Sequence, residues 1–233
     1  MKHLTPEDLS AIEAAVRAAE AGTTGEIYCV VAHDSSHYGE TPLAWAAGVA
    51  LLGPALLLLA GVHVTIPDFF SSWSASDVSV AIESAVRSAL IGAIVTQAIL
   101  FVVTGLIVEI PAVKRLLTPR SLKRQRVKRR AAEQFAAKNL HATRDRTGVL
   151  IFVSLDERMA ELIADEGIAD HVDAHVWDQA MAALTGGLKR GDPAAGFKAA
   201  IGRCGEVLAE KFPARAGDNP NEVPDAVVVL PRH

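Results

Sequence analysis

Two long apolar runs interrupt this chain, and they constrain its fold more than any other feature. Residues 43–66 and 88–108 contain no Asp, Glu, Lys or Arg. Runs of roughly 24 and 21 residues are each long enough to cross the ~30 Å hydrocarbon core of a bilayer as a helix. Buried core helices are the alternative, but a domain of this size seldom encloses two helices that are apolar on every side. We therefore predict a hairpin of two transmembrane helices.

Charges beside the two runs predict the orientation of the hairpin. The outer loop, 67–87, carries Arg87 against Asp68, Asp77 and Glu83. A basic block follows the second run and contains Lys114, Arg115, Arg120, Lys123, Arg124, Arg126, Lys128, Arg129 and Arg130. Because Lys and Arg accumulate on the cytoplasmic side of spans, we expect both termini in the cytoplasm. We expect no secretory signal peptide, since polar, helix-patterned sequence precedes the first run.

The basic block also predicts what the surface of the domain contacts. It continues into a helix whose apolar side carries Val127, Ala131 and Phe135. The opposite side predicts a membrane-surface contact with anionic lipid headgroups, worth about 1 kcal/mol per suitably placed charge. The residues of this predicted contact are Lys123, Arg124, Arg126, Lys128, Arg129 and Arg130. The formal net charge of −4 gives no general affinity for nucleic acid, so we expect membrane lipids rather than nucleic acid as partners.

The segments on either side of the hairpin have the pattern of one α/β domain. A helix capped at Thr5 precedes a β-branched strand over 26–32, and a second strand is predicted over 148–155. A third strand over 158–164 forms a hairpin with the second, and two helices follow over 170–188 and from Asp192 to Pro213. The crossover between the first two strands contains a helix, so these strands are expected to be parallel.

This order predicts a small three-layer α/β/α domain with a short mixed sheet, interrupted by the transmembrane hairpin. We divide the chain into a first part of the domain (1–42), the hairpin (43–110), a second part of the domain (111–213) and a loose C-terminal tail (214–233). The tail includes a candidate edge strand over 226–230. Cys29 and Cys204 fall where small apolar residues suit a strand or helix, and we expect both to be buried free thiols.

Three acidic residues are the candidate metal ligands. Asp34 follows the first strand, and Asp156 and Glu157 follow the second. Ligands collect beyond the carboxyl ends of parallel strands, and converging carboxylates suit Ca²⁺ or Mg²⁺. Acidic residues also favour turns for local hydrogen-bonding reasons, which is the alternative interpretation. The sequence contains no nucleophile elbow, phosphate-binding glycine loop or zinc-protease helix.

Two motifs resemble the TPM domain family. They are Gly25-Glu26 followed by IYCVVA, and Arg146-Thr147-Gly148 followed by VLIFVSL, with Arg158 and ELIADEGI after it. The whole chain is similar to a branch of bacterial membrane proteins in which a helical hairpin interrupts this domain after its first strand. The resemblance implies a small α/β/α domain associated with phosphatase activity, divalent cation binding, and maintenance or assembly of membrane complexes. It also implies residence in a bacterial inner membrane.

Three hypotheses about function follow. In the first, the chain is an integral membrane protein whose cytoplasm-facing domain is a binding or assembly module for a membrane-protein partner. The alternative is a divalent-metal-dependent, phosphatase-like hydrolase that uses Asp34 and Asp156. A third hypothesis is a passive lipid-binding protein, based on the basic block. The oligomeric state and the catalytic residues, if any, do not follow from the sequence.

Overall fold

The computed structural model describes residues 4–61, 78–215 and 221–232. In chain order its elements are α1 (Pro6–Glu20), β1 (Glu26–Ala32), α2 (Glu40–Leu59), α3 (Val78–Glu109), α4 (Pro111–Leu117), α5 (Arg120–Ala137), a 3-10 turn (Leu140–Ala142), β2 (Gly148–Ser154), β3 (Met159–Ala164), α6 (Glu166–Ala169), α7 (Ala174–Arg190), α8 (Pro193–Lys211) and β4 (Val228–Leu230). The chain divides into two compact units, one formed by Met1–His37 with Arg120–His233 and the other by Tyr38–Pro119.

The first unit is built on a four-stranded mixed sheet with the order β3-β2-β1-β4. β1 pairs in parallel with β2, starting with Glu26 opposite Gly148, and β2 pairs antiparallel with β3. β4 adds to the free edge of β1 in parallel, with Val30 opposite Val228. The predicted α/β class, the parallel pairing of β1 with β2 and the β-hairpin formed by β2 and β3 are therefore confirmed.

Helices cover both faces of this sheet, so the unit has three layers. Odd-numbered residues of β1, such as Cys29 and Val31, belong to a core shared with α1, α7 and α8. Even-numbered residues, such as Tyr28 and Val30, belong to a second core that contains Val127 of α5. Every residue of β1 and β2 is buried, which explains why both strands are continuously apolar rather than alternating.

Local sequence signals begin the helices of the first unit. The Thr5 side chain accepts from the backbone N–H of Asp8 at 3.2 Å, and the Asp8 carboxylate accepts from the backbone N–H of Thr5 at 3.0 Å. This reciprocal arrangement is a capping box, which satisfies two backbone donors at the start of α1. Asp192 caps α8 by accepting from the backbone N–H of Ala195, and Pro193 occupies the first turn.

The second unit contains two apolar helices. Among the described residues, Glu40–Leu59 and Val86–Glu109 are long and apolar enough to cross a membrane. Only 17% and 11% of their most apolar windows are buried, unlike the core helices of a water-soluble protein. α2 and α3 pack closely at Gly53, where an added Cβ would lie 2.7 Å from Cδ1 of Leu100.

The structure corrects several boundaries. α3 begins at Val78 and is continuous to Glu109, so residues 78–87 extend the second apolar helix into the predicted outer loop. The remainder of that loop, 67–77, lies outside the described residues. The helix predicted over 170–188 begins at Ala174, because Asp173 caps it, and the short α6 precedes it.

The candidate edge strand of the C-terminal segment is present as β4, and residues 221–225 before it are held against the domain. Val223 is buried in the second core, and β4 forms hydrogen bonds with β1. The buried carboxylate of Glu26 accepts from the backbone N–H groups of Glu222 and Val223, at 3.3 Å each. Composition alone suggested a loop, but long-range hydrogen bonds to β1 hold this segment on the domain.

Candidate functional site

The carboxyl ends of β1 and β2 lie side by side. The backbone N–H of Leu155 donates to the carbonyl of Ala32 at 3.0 Å, and that of Asp156 donates to the carbonyl of His33 at 2.9 Å. These bonds continue the parallel pairing past the ends of the strands. The loop that holds Asp34 and Ser35 is thereby placed against the β2–β3 turn, as the sequence predicts for parallel strands.

Glu157 joins these two loops through both of its carboxylate oxygens. One oxygen accepts from the backbone N–H of Ser35 at 3.1 Å. The other accepts from the hydroxyl of Ser154, the buried last residue of β2. Arg158, which follows, has a φ of 53°, and this left-handed residue turns the chain into β3. Glu157 therefore holds Ser35 in place from the neighbouring loop.

The three predicted metal ligands are brought to the same edge, where Asp156 and Glu157 have internal partners. Asp156 forms an ion pair with Arg232 at 3.2 Å, and Glu157 bonds to Ser35 and Ser154. Within residues 4–61, 78–215 and 221–232, no group of three or more His, Cys, Asp or Glu side chains is arranged to hold a metal ion. Binding of Ca²⁺ or Mg²⁺ at Asp34, Asp156 and Glu157 stays a prediction.

The predicted basic helix has two distinct sides. Val127 and Ala131 of α5 are buried in the second core, which fixes the rotation of the helix. Arg124, Lys128 and Arg129 are exposed, whereas Lys123, Arg126 and Arg130 are half-buried. The six predicted membrane-surface residues are thus not equivalent, because α5 turns some of them towards the rest of the domain.

A pocket of about 400 Å³ lies between α5 and the loop after β1. It is lined by Ser35, Ser36, His37, Arg126, Arg129, Arg130 and Glu133. Three of these residues are arginines and one is a glutamate, so the side chains that line the pocket are predominantly basic. Glu133 bonds to Arg129 at 3.0 Å and to Arg130 at 3.5 Å. The pocket can therefore attract an anion, which would compete with Glu133 for the guanidinium groups of Arg129 and Arg130.

Two polar groups of the pocket residues have no hydrogen-bond partner in the part of the chain that the structure describes. Ser35 is 6% exposed, and its hydroxyl oxygen is buried without a partner there. The Nε of Arg130 is also buried without one. Buried polar groups in folded proteins are nearly always paired, so two orphans lining one pocket indicate a site that is completed by something else.

The sequence interpretation missed the part of this site contributed by the loop. Ser35, Ser36 and His37 received no role because short polar loops are common. The available signal was the spacing of Arg126, Arg129 and Arg130, which places them on one side of a helix. That spacing identifies a basic helix face, but it does not identify the loop that faces it.

A second cluster of charged groups lies at the start of β1. Glu20 accepts from the backbone N–H of Ile27 at 2.7 Å, and burial raises the pKa of Glu20 to about 8. The nearby carboxylates of Glu26 and Asp225 raise it further. Burial likewise raises the pKa of Glu26. This cluster fastens residues 221–225 to the domain, because Asp225 also pairs with Arg17 at 3.2 Å.

The thiols of Cys29 and Cys204 lie in the core that the sheet shares with α1, α7 and α8. Cys29 and Cys204 are both free and buried, as predicted from the sequence. Burial raises the pKa of Cys204 to about 12 and that of Cys29 well above its ordinary value. A thiol with a raised pKa is a poor nucleophile at neutral pH, so neither cysteine has the properties of a catalytic thiol.

Comparisons with known proteins agree with the fold and with the resemblance. The solved NMR structure of BA42 protein from the psychrophilic bacterium Bizionia argentinensis is 19% identical, with a TM-score of 0.55 over 98% of this chain and 97% of that chain. At that identity the likeness supports the fold alone. No curated protein sequence matches the chain significantly. The TPM domain model matches residues 114–207, which include α5, β2, β3 and α7. The resemblance to the TPM domain family is thereby confirmed for residues 114–207.

Proposed function

We propose that this protein is a membrane-anchored binding module whose TPM domain faces the cytoplasm of a bacterial cell and docks on a membrane-protein partner. The observation that carries the proposal is the succession of two exposed apolar helices, α2 and α3, and the arginine-rich helix α5. α5 begins at Arg120, directly after the second unit ends. Basic residues this close to a span favour the cytoplasmic side.

The chemistry of the domain supports binding rather than turnover. Both thiols are buried with raised pKa values, and the carboxylates of Asp156 and Glu157 serve as internal partners. The arginine-lined pocket is instead suited to holding a charged group. The phosphatase-like alternative stays a prediction, since it depends on metal binding at Asp34 and Asp156.

The topology is tested with reporter fusions. Green fluorescent protein fused after His233 is expected to fluoresce, and alkaline phosphatase inserted within 67–77 is expected to be active. The reciprocal pair, alkaline phosphatase at the end and green fluorescent protein in the loop, serves as the control and is expected to be silent. An active phosphatase at the C-terminal end would place the domain outside the cytoplasm and refute the orientation.

Partner docking is tested by cross-linking cells and purifying the tagged full chain in mild detergent. One recurrent membrane protein is expected with the wild type. The control is Phe152→Asp, which places a charge in the core beneath α5 and unfolds the domain while the apolar helices are unchanged. Recovery of the same protein with the control, or of no partner with the wild type, would contradict docking through the domain.

A further inference from the structure

The arrangement of α5 concentrates positive charge on one side of a pocket. Arg126, Arg129 and Arg130 are spaced at three and four residues, so their side chains leave the helix in the same direction. The buried Val127 and Ala131 prevent α5 from rotating these arginines away. The packing of α5 therefore fixes the orientation of the arginine side of the pocket.

The opposite side of the pocket presents small polar groups. Ser35, Ser36 and His37 follow β1, and the bond from the backbone N–H of Ser35 to Glu157 holds this loop. Among the described residues, the hydroxyl of Ser35 is an O–H donor that lacks an acceptor, and Nε of Arg130 is an N–H donor that lacks one. Two buried unsatisfied groups cost stability unless an acceptor binds to them.

We propose that this pocket binds a phosphate monoester through its phosphate group. A phosphate monoester carries about −1.5 to −2 charges at neutral pH and offers three acceptor oxygens. This negative charge complements the predominantly basic lining of the pocket, and the oxygens can accept from the two unpartnered donors. Guanidinium groups bind phosphate through paired hydrogen bonds, which favours phosphate over a halide.

The size of the pocket favours a small ligand. A volume of about 400 Å³ is within the range of small-molecule sites. A soluble metabolite with a terminal phosphate and a lipid with a phosphomonoester headgroup present the same group. The site is defined by that shared chemistry, and it does not depend on the proposed partner docking.

The first test is calorimetric titration of inorganic phosphate into the full chain in phosphatidylcholine nanodiscs, at constant ionic strength. Saturable binding is expected. Arg126→Ala and Arg129→Ala each remove a charge-assisted contact and are expected to weaken binding about ten-fold or more. The matched controls Arg124→Ala and Lys128→Ala remove the same charge from positions of α5 that do not line the pocket, and they are expected to change affinity by about two-fold or less.

Two further variants test the geometry without removing a large side chain. Glu133→Gln removes the carboxylate that competes for Arg129 and Arg130, so it is expected to tighten phosphate binding. Ser35→Ala removes the orphan hydroxyl and is expected to weaken binding a few-fold. The proposal would be overturned if the titration showed no saturable binding of phosphate. It would also be overturned if the pocket variants and the control variants lost the same affinity. Because several variants are compared, these outcomes are decisive even if one variant fails to fold.

The source of the phosphate is distinguished by repeating the titration in nanodiscs that contain phosphatidic acid. If the lipid headgroup occupies the pocket, the apparent affinity for inorganic phosphate falls there but not in phosphatidylglycerol nanodiscs, which lack a phosphomonoester. If the ligand is soluble, the affinity is the same as in phosphatidylcholine. Both results support the pocket. A fall that is equal in phosphatidylglycerol nanodiscs and insensitive to Arg129→Ala reflects surface potential alone and would overturn it.

Discussion

The carboxylate of Glu157 accepts a hydrogen bond from the backbone N–H of Ser35 at 3.1 Å, although these residues belong to different loops. The contact exists because β1 and β2 are parallel neighbours whose carboxyl ends meet at one edge of the sheet. It places Ser35, whose hydroxyl has no partner among the described residues, opposite the arginines of α5. A residue predicted as a metal ligand thus has a structural role beside a different site.

Replacing Glu157 tests this role. Glu157→Ala removes the acceptor for the backbone of Ser35 and for the hydroxyl of Ser154, and is expected to lower the unfolding free energy by about 1–3 kcal/mol. Urea unfolding of the detergent-solubilised chain, followed by tryptophan fluorescence that includes the core-packed Trp177, measures it. Glu157→Gln keeps an acceptor for Ser35 and should recover part of the loss. Equal stability of the alanine variant and the wild type would show that the loops do not need this bridge.

Glu20 predicts a pH dependence. Its pKa is raised from 4.5 to about 8, first by burial, so the folded state binds a proton that the unfolded state releases above about pH 4.5. The stability contribution of Glu20 is therefore full at low pH and declines as the pH rises towards 8. Glu20→Gln keeps an acceptor for Ile27 and should gain stability relative to the wild type, on the order of 1–3 kcal/mol at pH 9 and much less at pH 5.

The same unfolding measurement at the two pH values checks the prediction for Glu20. Glu13→Gln, which makes the same substitution elsewhere on the same helix, is the control variant measured beside it. A Glu20→Gln variant whose advantage is equal at pH 5 and pH 9 would contradict a protonated Glu20 in the folded protein. The comparison is also informative about residues 221–225, because Asp225 faces Glu20.

Close packing of α7 on α8 depends on glycine. A Cβ at Gly187 would lie 2.4 Å from Cα of Gly196, whereas a Cβ at Gly202 would meet nothing within 4 Å. Gly187→Ala forces the helices apart and is expected to destabilise the domain by about 1–3 kcal/mol. Gly202→Ala, in an exposed helix position, is expected to stabilise it by about 0.5–1 kcal/mol. Thermal unfolding followed by circular dichroism measures both variants. The melting temperature is expected to fall for Gly187→Ala and to rise for Gly202→Ala.

The buried thiols predict slow chemical labelling. Cys29 and Cys204 are shielded in the core and have raised pKa values, so both should react with a maleimide only when the domain unfolds. Lys128→Cys adds an exposed thiol on α5 and should be labelled at once under the same conditions. Mass spectrometry counts the added groups. Rapid modification of the wild type in native buffer would mean that this core opens readily.

Titration with Ca²⁺ or Mg²⁺ tests the metal hypothesis. If Asp34 and Asp156 hold a cation, the wild type shows saturable binding that both Asp34→Ala and Asp156→Ala abolish. Arg232→Ala frees Asp156 from its ion pair and should then tighten binding. A wild type without saturable heat rejects the site at the strand ends and the hydrolase that depends on it.

Much of the fold follows from local patterns. The strand predicted over 26–32 has those bounds in the structure, because a β-branched run between glycine and polar residues has few other solutions. The segment 221–225 shows the limit of such patterns. Its composition indicates a loop, yet Val223 is buried and Glu26 holds its backbone. Glu26 lies far from this segment in the chain, so local sequence patterns could not reveal the contact.

The candidate site likewise has a part that is visible in the sequence and a part that only the tertiary structure shows. The basic character of α5 is visible from Arg126, Arg129 and Arg130 alone, and the carboxylates after the strands are visible from Asp34 and Asp156. Which of these groups have partners is a tertiary property. Asp156 pairs with Arg232 near the C-terminal end, and Glu157 bonds to Ser35, which lies far away in the chain.

The sequence by itself determined the two apolar helices, the buried strands and the basic helix, because length, hydrophobicity and periodicity act over neighbouring residues. Tertiary structure alone decided that β4 pairs in parallel with β1 and that Asp156 and Glu157 are used internally. It also decided that Ser35 meets the arginines of α5. The physical reason is that a hydrogen bond or ion pair forms between whichever groups the packing of distant segments brings within reach.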